Sequence, residues 1–598
     1  MKKIAPLIIV VILILSGFGA VAISDNSNER VLFHKANFSE PIIQDQGQYI
    51  TIDLPGSTTY TSQPGNPILP TYSKLFTFPV GTRITDISFI CSEQQEILLS
   101  KEVMLAPEPL TVSQFTYESK IEEVKNQEIC SIDTVYPESP LKYKVGCGLD
   151  GNKHVIYLTV YYFPLLYSSK NKIIYFTDSV EIKVTYQIRE NPLVSSDEFD
   201  LVVVSPAEYS EQLQPLIDHK NGVGVSTTYI TTEDIYAIYQ GRDEAEQIKY
   251  FIKDAIETMG AEYVLLVGSI YKLPIRTTYP SMWSRQKEII SDLYYADIYD
   301  SEMNFSSWDT NNDSKFGETG VDDVDLYPDV HLGRLACDSA EEVTVVVDKI
   351  IHYETETYGQ DWFNNMIFIG GNTFPYFFAP GNEGEILNEI IMDIMSDFNP
   401  TVIWTSKHNF NPLTISLAID KGAGFLDYSG HGFEHGMGTY PPLRRKMKTY
   451  LTPNINFLVN DYKLPIIFFD ACLTARLDFV LQDLLDYKVF RILNLLAQLL
   501  NVNTSKKLPC YAWCFVKHEG GGAIATIGAT RTAYGGVDSG AGKMSIEFFS
   551  AYENSEMLGQ MMTEMQNQYI NDVPDDEFTV EEFILLGDPS LKIGGYPN

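Results

Sequence analysis

The sequence predicts an α/β domain with a mainly parallel sheet flanked by helices, preceded by a β-rich, sandwich-like domain. Two patterns carry this. From residue 198 onward, short continuous apolar runs alternate with helical segments, as strands covered on both faces do. Before residue 197, β-branched and aromatic residues are punctuated by turn clusters. The length of 598 residues exceeds one core, and 44% hydrophobic residues supply ample material for burial.

In chain order, Lys2 and Lys3, an apolar run from Ile4 to Leu15 and Ala20-Val21-Ala22 read as a signal peptide over 1–22, implying export. The β-rich domain follows over 23–197. Val155-Ile-Tyr-Leu-Thr-Val-Tyr-Tyr and Ser179-Val-Glu-Ile-Lys-Val-Thr-Tyr are its clearest strands. Gly56-Ser57, Pro64-Gly65-Asn66-Pro67 and Asp150-Gly151-Asn152 are its turns.

The α/β part divides into subdomains 198–362 and 363–598. Its predicted strands are Leu201-Val-Val-Val, Val223 to Tyr229, Tyr263-Val-Leu-Leu-Val-Gly, Met366-Ile-Phe-Ile-Gly, Gly424-Phe-Leu-Asp-Tyr, Pro465-Ile-Ile-Phe-Phe and Gly522-Ala-Ile-Ala-Thr-Ile. Helices are expected from Tyr209 to His219 and over 244–259. Residues 481–507 read as a helical insertion. Within it, Val489 to Leu500 is too short to span a bilayer and carries Arg491, so a packed helix is expected and no membrane span beyond the leader.

Net charge is −36, which disfavours nucleic acid, since phosphate recognition needs Lys and Arg. Seven cysteines exclude a disulfide scaffold and leave at least one thiol unpaired within the chain. Any two of Cys91, Cys130 and Cys147 can pair, whereas Cys510 and Cys514 read as packed small residues.

Loops beyond the C-terminal ends of parallel strands collect chemistry. Tyr428-Ser429-Gly430-His431-Gly432 follows one strand, and Phe468-Phe469-Asp470-Ala471-Cys472 follows the next. Adjacent strands bring the two loops together. A thiol is a good nucleophile only as thiolate, which an imidazole can generate. The N–H groups of Gly432 and Cys472 are candidate oxyanion donors. A metal pair from His431 and His435 is disfavoured by the glycines between and beside them. A second candidate site is the loop Asp309, Asn311, Asp313, Lys315 and Glu318, with Asp322 and Asp323 behind it. It spaces oxygens as a calcium loop does, without the glycine and final acid of an EF-hand, so structural Ca2+ is expected.

The segment 428–439, the Phe-Phe-Asp-Ala-Cys run ending at Cys472 and the closing Leu586-Gly587-Asp588-Pro589-Ser590-Leu591 resemble, in that order, motifs of the gingipain-type cysteine peptidases. Pro64 to Pro70 is similar to part of that family's prodomain. The resemblance implies a caspase-like fold and a secreted endopeptidase zymogen whose own prodomain inhibits it. It implies that Cys472 attacks the scissile carbonyl of protein or peptide substrates and His431 protonates the leaving amine. Asn372 stands where the family has an acidic third member. Glu385, or less favourably Glu383, stands where an acid recognises Arg or Lys, with Tyr534 over the pocket; acids at a helix N-terminus are the alternative. Basic specificity would allow self-processing near Arg189. The rival readings are a non-catalytic secreted binding protein of the same fold and a cysteine-dependent transpeptidase or ligase.

Overall fold

The computed structural model describes residues 22–597 apart from 24–28, 62, 64, 107–134, 190–192, 194–197, 281–287, 374–381, 443, 445, 488–490, 501 and 575. The signal-peptide segment and Cys130 therefore lie outside the described residues.

The β-rich domain is built from antiparallel sheets. One pairs Glu29–Asn37, Ser179–Ile188 and Thr82–Cys91, and another orders Thr59–Tyr60, Pro70–Pro79, Lys153–Tyr162 and Leu141–Asp150. Ser179–Ile188 alternates as its sequence does, with Val180, Ile182 and Val184 buried and Glu181 exposed. Lys153–Tyr162 is buried along both faces from Ile156 onward, because its outer face meets the next domain. Cys91 and Cys147 are free thiols, exposed and buried respectively, so the pairing allowed by the sequence is not made between them.

The α/β domain is one ten-stranded sheet. Its strands are β1 (Leu201–Ser205), β2 (Thr227–Thr231), β3 (Tyr263–Val267), β4 (His331–Leu335), β5 (Asn365–Gly370), β6 (Asn399–Trp404), β7 (Phe425–Ser429), β8 (Ile466–Asp470), β9 (Ala525–Ala529) and β10 (Phe583–Leu586). Their order is β2-β1-β3-β4-β10-β9-β8-β7-β5-β6. Five of the seven predicted runs match these strands to within one residue at either end, and the run over 522–527 overlaps β9 by three residues. The seventh, predicted over 223–229, is displaced to Thr227–Thr231, because Val223 still caps the preceding helix. The two predicted subdomains share this continuous sheet. Their seam is the last strand, β10, which is parallel to β4 through Arg334↔Leu586 and antiparallel to β9 through Thr526↔Leu586 and Ala529↔Phe583. All other neighbouring pairs are parallel.

That single reversal has a geometric result. The start of β4 lies at the same edge as the ends of β7, β8 and β9, where the His431 and Cys472 loops emerge. The β-rich domain docks at that edge, on residues 325–331 and on the helix Leu558–Asp572. The Tyr161 hydroxyl donates to the Ile570 carbonyl, Thr159 and Tyr327 both donate to Asn571 Oδ1, and the Cys147 N–H donates to Asp325. Gly146 and Gly148 leave room for the Tyr327 ring, which any Cβ would strike at 2.3 and 2.6 Å.

Two helices clamp the C-terminal motif: α1 (Ser210–Gly222) and α2 (Ala340–Glu356). Lys220 Nζ is wholly buried, 2.7 Å from Glu354 and 2.8 Å from Asp588, and it also donates to the Ser590 carbonyl. Asp588 accepts from the Ser590 N–H and hydroxyl. The Gly-Asp-Pro-Ser motif is thus a buried anchor for β10. Burial alone would raise Glu354; the Lys220 ammonium reverses this and holds it below its usual value. Its stabilisation is therefore present above the ordinary carboxylate range and lost as pH falls through the depressed value. Lys220→Met leaves the buried Asp588 without a cation and Glu354 with only His219 and the Lys592 N–H, and is expected to cost about 3–5 kcal/mol at neutral pH. A urea unfolding midpoint equal to wild type would refute this account of the motif.

Candidate active site

His431 and Cys472 emerge from neighbouring parallel strands. β7 and β8 pair in register through Ser429↔Asp470, and the Ser429 hydroxyl and Gly430 N–H donate to Asp470 side-chain and backbone oxygens. Beyond the strands the loops touch. A Cβ on Gly432 would sit 2.1 Å from the Cys472 carbonyl oxygen, so only glycine lets the histidine loop lie against the cysteine loop. Leu473 adopts a left-handed φ of 58°, turning the chain sharply after the thiol. Leu473 and Ala475 N–H groups then bond the Arg531 and Ala529 carbonyls beyond β9. No carbonyl among the described residues accepts from the Cys472 N–H.

The His431 ring is 8% exposed. Its Nε2 lies 2.7 Å from the Thr373 carbonyl oxygen. A carbonyl only accepts, so Nε2 carries the proton and Nδ1 keeps its lone pair. Tyr440 stands edge-on to the ring at 5.9 Å, and the Tyr428 hydroxyl holds the loop by donating to the His431 and Gly438 carbonyls. The orienting contact therefore falls one residue beyond Asn372, on a backbone atom rather than a side chain. Asn372 itself pairs through its backbone with Tyr440. No side-chain pattern announces a carbonyl, so the sequence held no signal for Thr373.

The acids at the next helix, α3 (Glu383–Ile394), divide sharply. Glu385 is buried and satisfied by the Ser406 N–H, the Thr405 hydroxyl and the Asn382 amide. Glu383 uses Oε2 to accept from the Thr373 N–H at 3.0 Å, while its buried Oε1 has no partner among the described residues. Burial raises its pKa. Glu383 is thus the acid with an open oxygen beside the histidine loop. The Tyr534 hydroxyl is turned towards the buried Asp576.

Two carboxylate groupings bear on metal binding. In the 309–318 loop, Asp309 accepts from the Asp313 and Ser314 N–H groups and pairs with Arg242. Asn311 accepts from the Asp313 N–H, and Lys315 pairs with Asp313 and Glu318. The loop's oxygens are turned onto its own amides and two cations, which is not the arrangement expected of a calcium cage. By contrast Asp297, Asp325 and Asp329 are buried where the β-rich domain docks, and Asp297 Oδ1, Asp329 Oδ1 and the nearby His154 Nε2 lack hydrogen-bond partners. Burial raises all three carboxyls, and repulsion from neighbouring carboxylates adds to this at Asp325 and Asp329. Among the described residues no three such groups are close enough to hold one ion as placed.

A family profile described as Peptidase family C25 matches residues 195–594. Gingipain R2 of Porphyromonas gingivalis is 27% identical over 296 residues, which is 48% of this chain and 34% of that protein. Lys-gingipain W83 of Porphyromonas gingivalis is 20% identical over 536 residues, covering 82% of this chain and 26% of the relative. The chain thus spans about a third or less of the length of these relatives. The crystal structure of the Arg specific cysteine proteinase gingipain R aligns at 21% identity and a TM-score of 0.49, over 67% of this chain and 80% of that one.

The thiol and the imidazole both rest in their uncharged forms. Burial, then the nearby Glu582 carboxylate, push the Cys472 thiol up to about 12, and burial draws His431 down to about 4. Sγ is 3.2 Å from the Ala533 carbonyl oxygen, which takes the thiol proton. Alkylation of Cys472 by iodoacetamide in the intact chain is therefore expected to be slow at pH 7 and to climb steadily above pH 9. A rate plateau starting near pH 5, the mark of a thiolate–imidazolium pair, would contradict it.

Proposed function

The chain belongs to peptidase family C25, and on that footing we propose that it is an exported cysteine endopeptidase with Cys472 as nucleophile and His431 as base and acid. The observation that carries this is the contact of Gly432 with the Cys472 carbonyl, which joins two loops otherwise forty residues apart. In the proposed reaction Sγ turns from the Ala533 carbonyl, its proton passes to His431 Nδ1, and the sulfur bonds to the scissile carbonyl carbon. The Thr373 carbonyl keeps Nε2 protonated and the ring in place. The N–H groups of Cys472 and Gly432 stabilise the oxyanion. The proton on Nδ1 then goes to the leaving amine, and water hydrolyses the thioester.

Substrate preference for Arg or Lys before the cleaved bond is proposed through Glu383 rather than Glu385. An unpartnered carboxylate oxygen gains a charge-assisted bond from an entering cation, whereas Glu385 would have to surrender three existing ones. Latency is proposed through the β-rich domain, since it docks at the edge where both catalytic loops emerge. Release would follow cutting near Arg189, which is exposed and pairs only loosely with Glu302 at 3.4 Å.

Cys472→Ala is expected to abolish cleavage of Arg and Lys peptides, and Glu383→Gln to cut their preference over uncharged peptides by about 10–100-fold. Cleavage persisting in Cys472→Ala would overturn the peptidase reading. An unchanged preference in Glu383→Gln would remove only the specificity acid. A ligated rather than hydrolysed product would turn the assignment to a transpeptidase.

Structural calcium is proposed at the Asp297, Asp325 and Asp329 cluster, whose carboxylates would have to draw together around the ion and among which Lys249 chiefly balances Asp297. Calcium at the 309–318 loop would first have to displace Arg242 and Lys315. Calcium is expected to raise Tm over that in chelator, and Asp325→Asn to remove the rise. Equal melting in calcium and chelator would dismiss the ion.

A further inference from the structure

The apolar stretch expected to pack inside the protein does the reverse. Helix α4 (Arg491–Leu499) sits in the 481–507 insertion, whose base is closed by the Val480↔Lys507 bridge. Leu493, Leu495, Leu496, Leu499 and Leu500 are 46–73% exposed, and Val502 is exposed beside them. Positions 493, 496 and 500 lie three and four apart, as do 495, 499 and 502, so they form one broad apolar face. The opposite side carries Asn494, which donates to Asp486 Oδ1, and the small Ala497, the one residue of the helix buried among those described. Amphipathicity is strong and the helix wears it outward.

Charge identifies the occupant. Between Asp486 and Glu519 the sequence has no acidic residue, yet it carries Lys488, Arg491, Lys506, Lys507 and Lys517, in a chain of net charge −36. Lys506 is exposed, and Lys507 lies over the Tyr271 ring. The acids just before the helix are occupied within the insertion, Asp483 by Arg476 and the Val480 N–H, Asp486 by Gln482 and Asn494. A leucine face in an acid-free stretch, with Lys506 exposed beside it while Lys517 is taken by Glu342, matches an anionic lipid surface, where side chains enter the acyl boundary and Lys and Arg meet the headgroups. A second copy would oppose like charges along the same seam.

We propose that α4 is an interfacial anchor that seats the protein on anionic membranes. The insertion also reaches the active-site rim, since Tyr487 donates to Glu434 and stands edge-on to His435 at 4.9 Å. Seating α4 therefore places the His431 hairpin close to the bilayer, where cleavable proteins attached to that membrane are found. The anchor does not depend on the catalytic assignment.

The test is cosedimentation with phosphatidylcholine vesicles, with and without 30% phosphatidylglycerol (about 30%, a usual anionic fraction). It uses protein without residues 1–21, whose apolar run would itself enter lipid. Wild type is expected to bind the anionic vesicles and to be released by salt. The double change Leu495→Glu with Leu499→Glu should weaken binding about tenfold or more, and Lys506→Glu roughly fivefold on anionic vesicles alone. Both variants should keep the wild-type melting temperature and hydrolysis of short soluble peptides. If the leucine variant unfolds, Lys506→Glu decides alone. Absence of binding by wild type, binding untouched by these changes, or a wild-type dimer that the leucine changes split would each overturn the proposal.

Discussion

A buried ammonium between two carboxylates holds the last strand of the chain in the middle of the sheet, and the rest of the architecture follows from that placement. Lys220 reaches Glu354 on one helix and Asp588 just after β10. Three charges removed from water are costly, and mutual attraction plus the Ser590 contacts offset the cost only in one geometry. What such a triad secures is register. With β10 seated, β4 and β9 become neighbours through a common strand, one parallel and one antiparallel. The reversal brings the docking surface for the β-rich domain and the two catalytic loops to the same edge.

At that edge the chemistry depends on backbone as much as on side chains. Gly432 permits contact with Cys472, Thr373 selects the imidazole tautomer, and Ala533 takes the thiol proton. Dry surroundings keep both reactive groups uncharged in this arrangement. The same dryness strengthens every dipole aimed at a developing oxyanion once substrate enters. In the proposed reaction, the uncharged resting state and the ion pair would be separated by a rotation of the Cys472 side chain away from Ala533.

Much of this was legible in the residues, for stated reasons. Runs such as Val202 to Val204 and Ile466 to Phe469 are apolar without alternation because both faces are covered, and they lie in strands. His431 and Cys472 were legible because chemistry gathers at strand ends and each sits just past one. The orienting carbonyl was not, since every residue has one. Nor was the insertion of β10 between β4 and β9, because order across a sheet leaves no local trace. Spacing alone made the 309–318 loop look like a cation site, while Arg242, far away in sequence, occupies its first acid. In α4 the periodicity correctly indicated a helix, but the same pattern fits an inward or an outward apolar face. Only the polar contact of Asn494 with Asp486 distinguishes them.

The position of β10 also bears on when the fold can be completed. Phe583–Leu586 follows the other nine strands of the sheet in sequence, yet it fills the central gap. Until it arrives, the strands on either side have no shared partner, and Lys220 and Glu354 lack their third member. A ribosome can release the β-rich domain and both catalytic loops without releasing a finished sheet. Until β10 is in place, the half of the sheet that carries both the thiol and the imidazole is not joined to β4, beside which the β-rich domain docks.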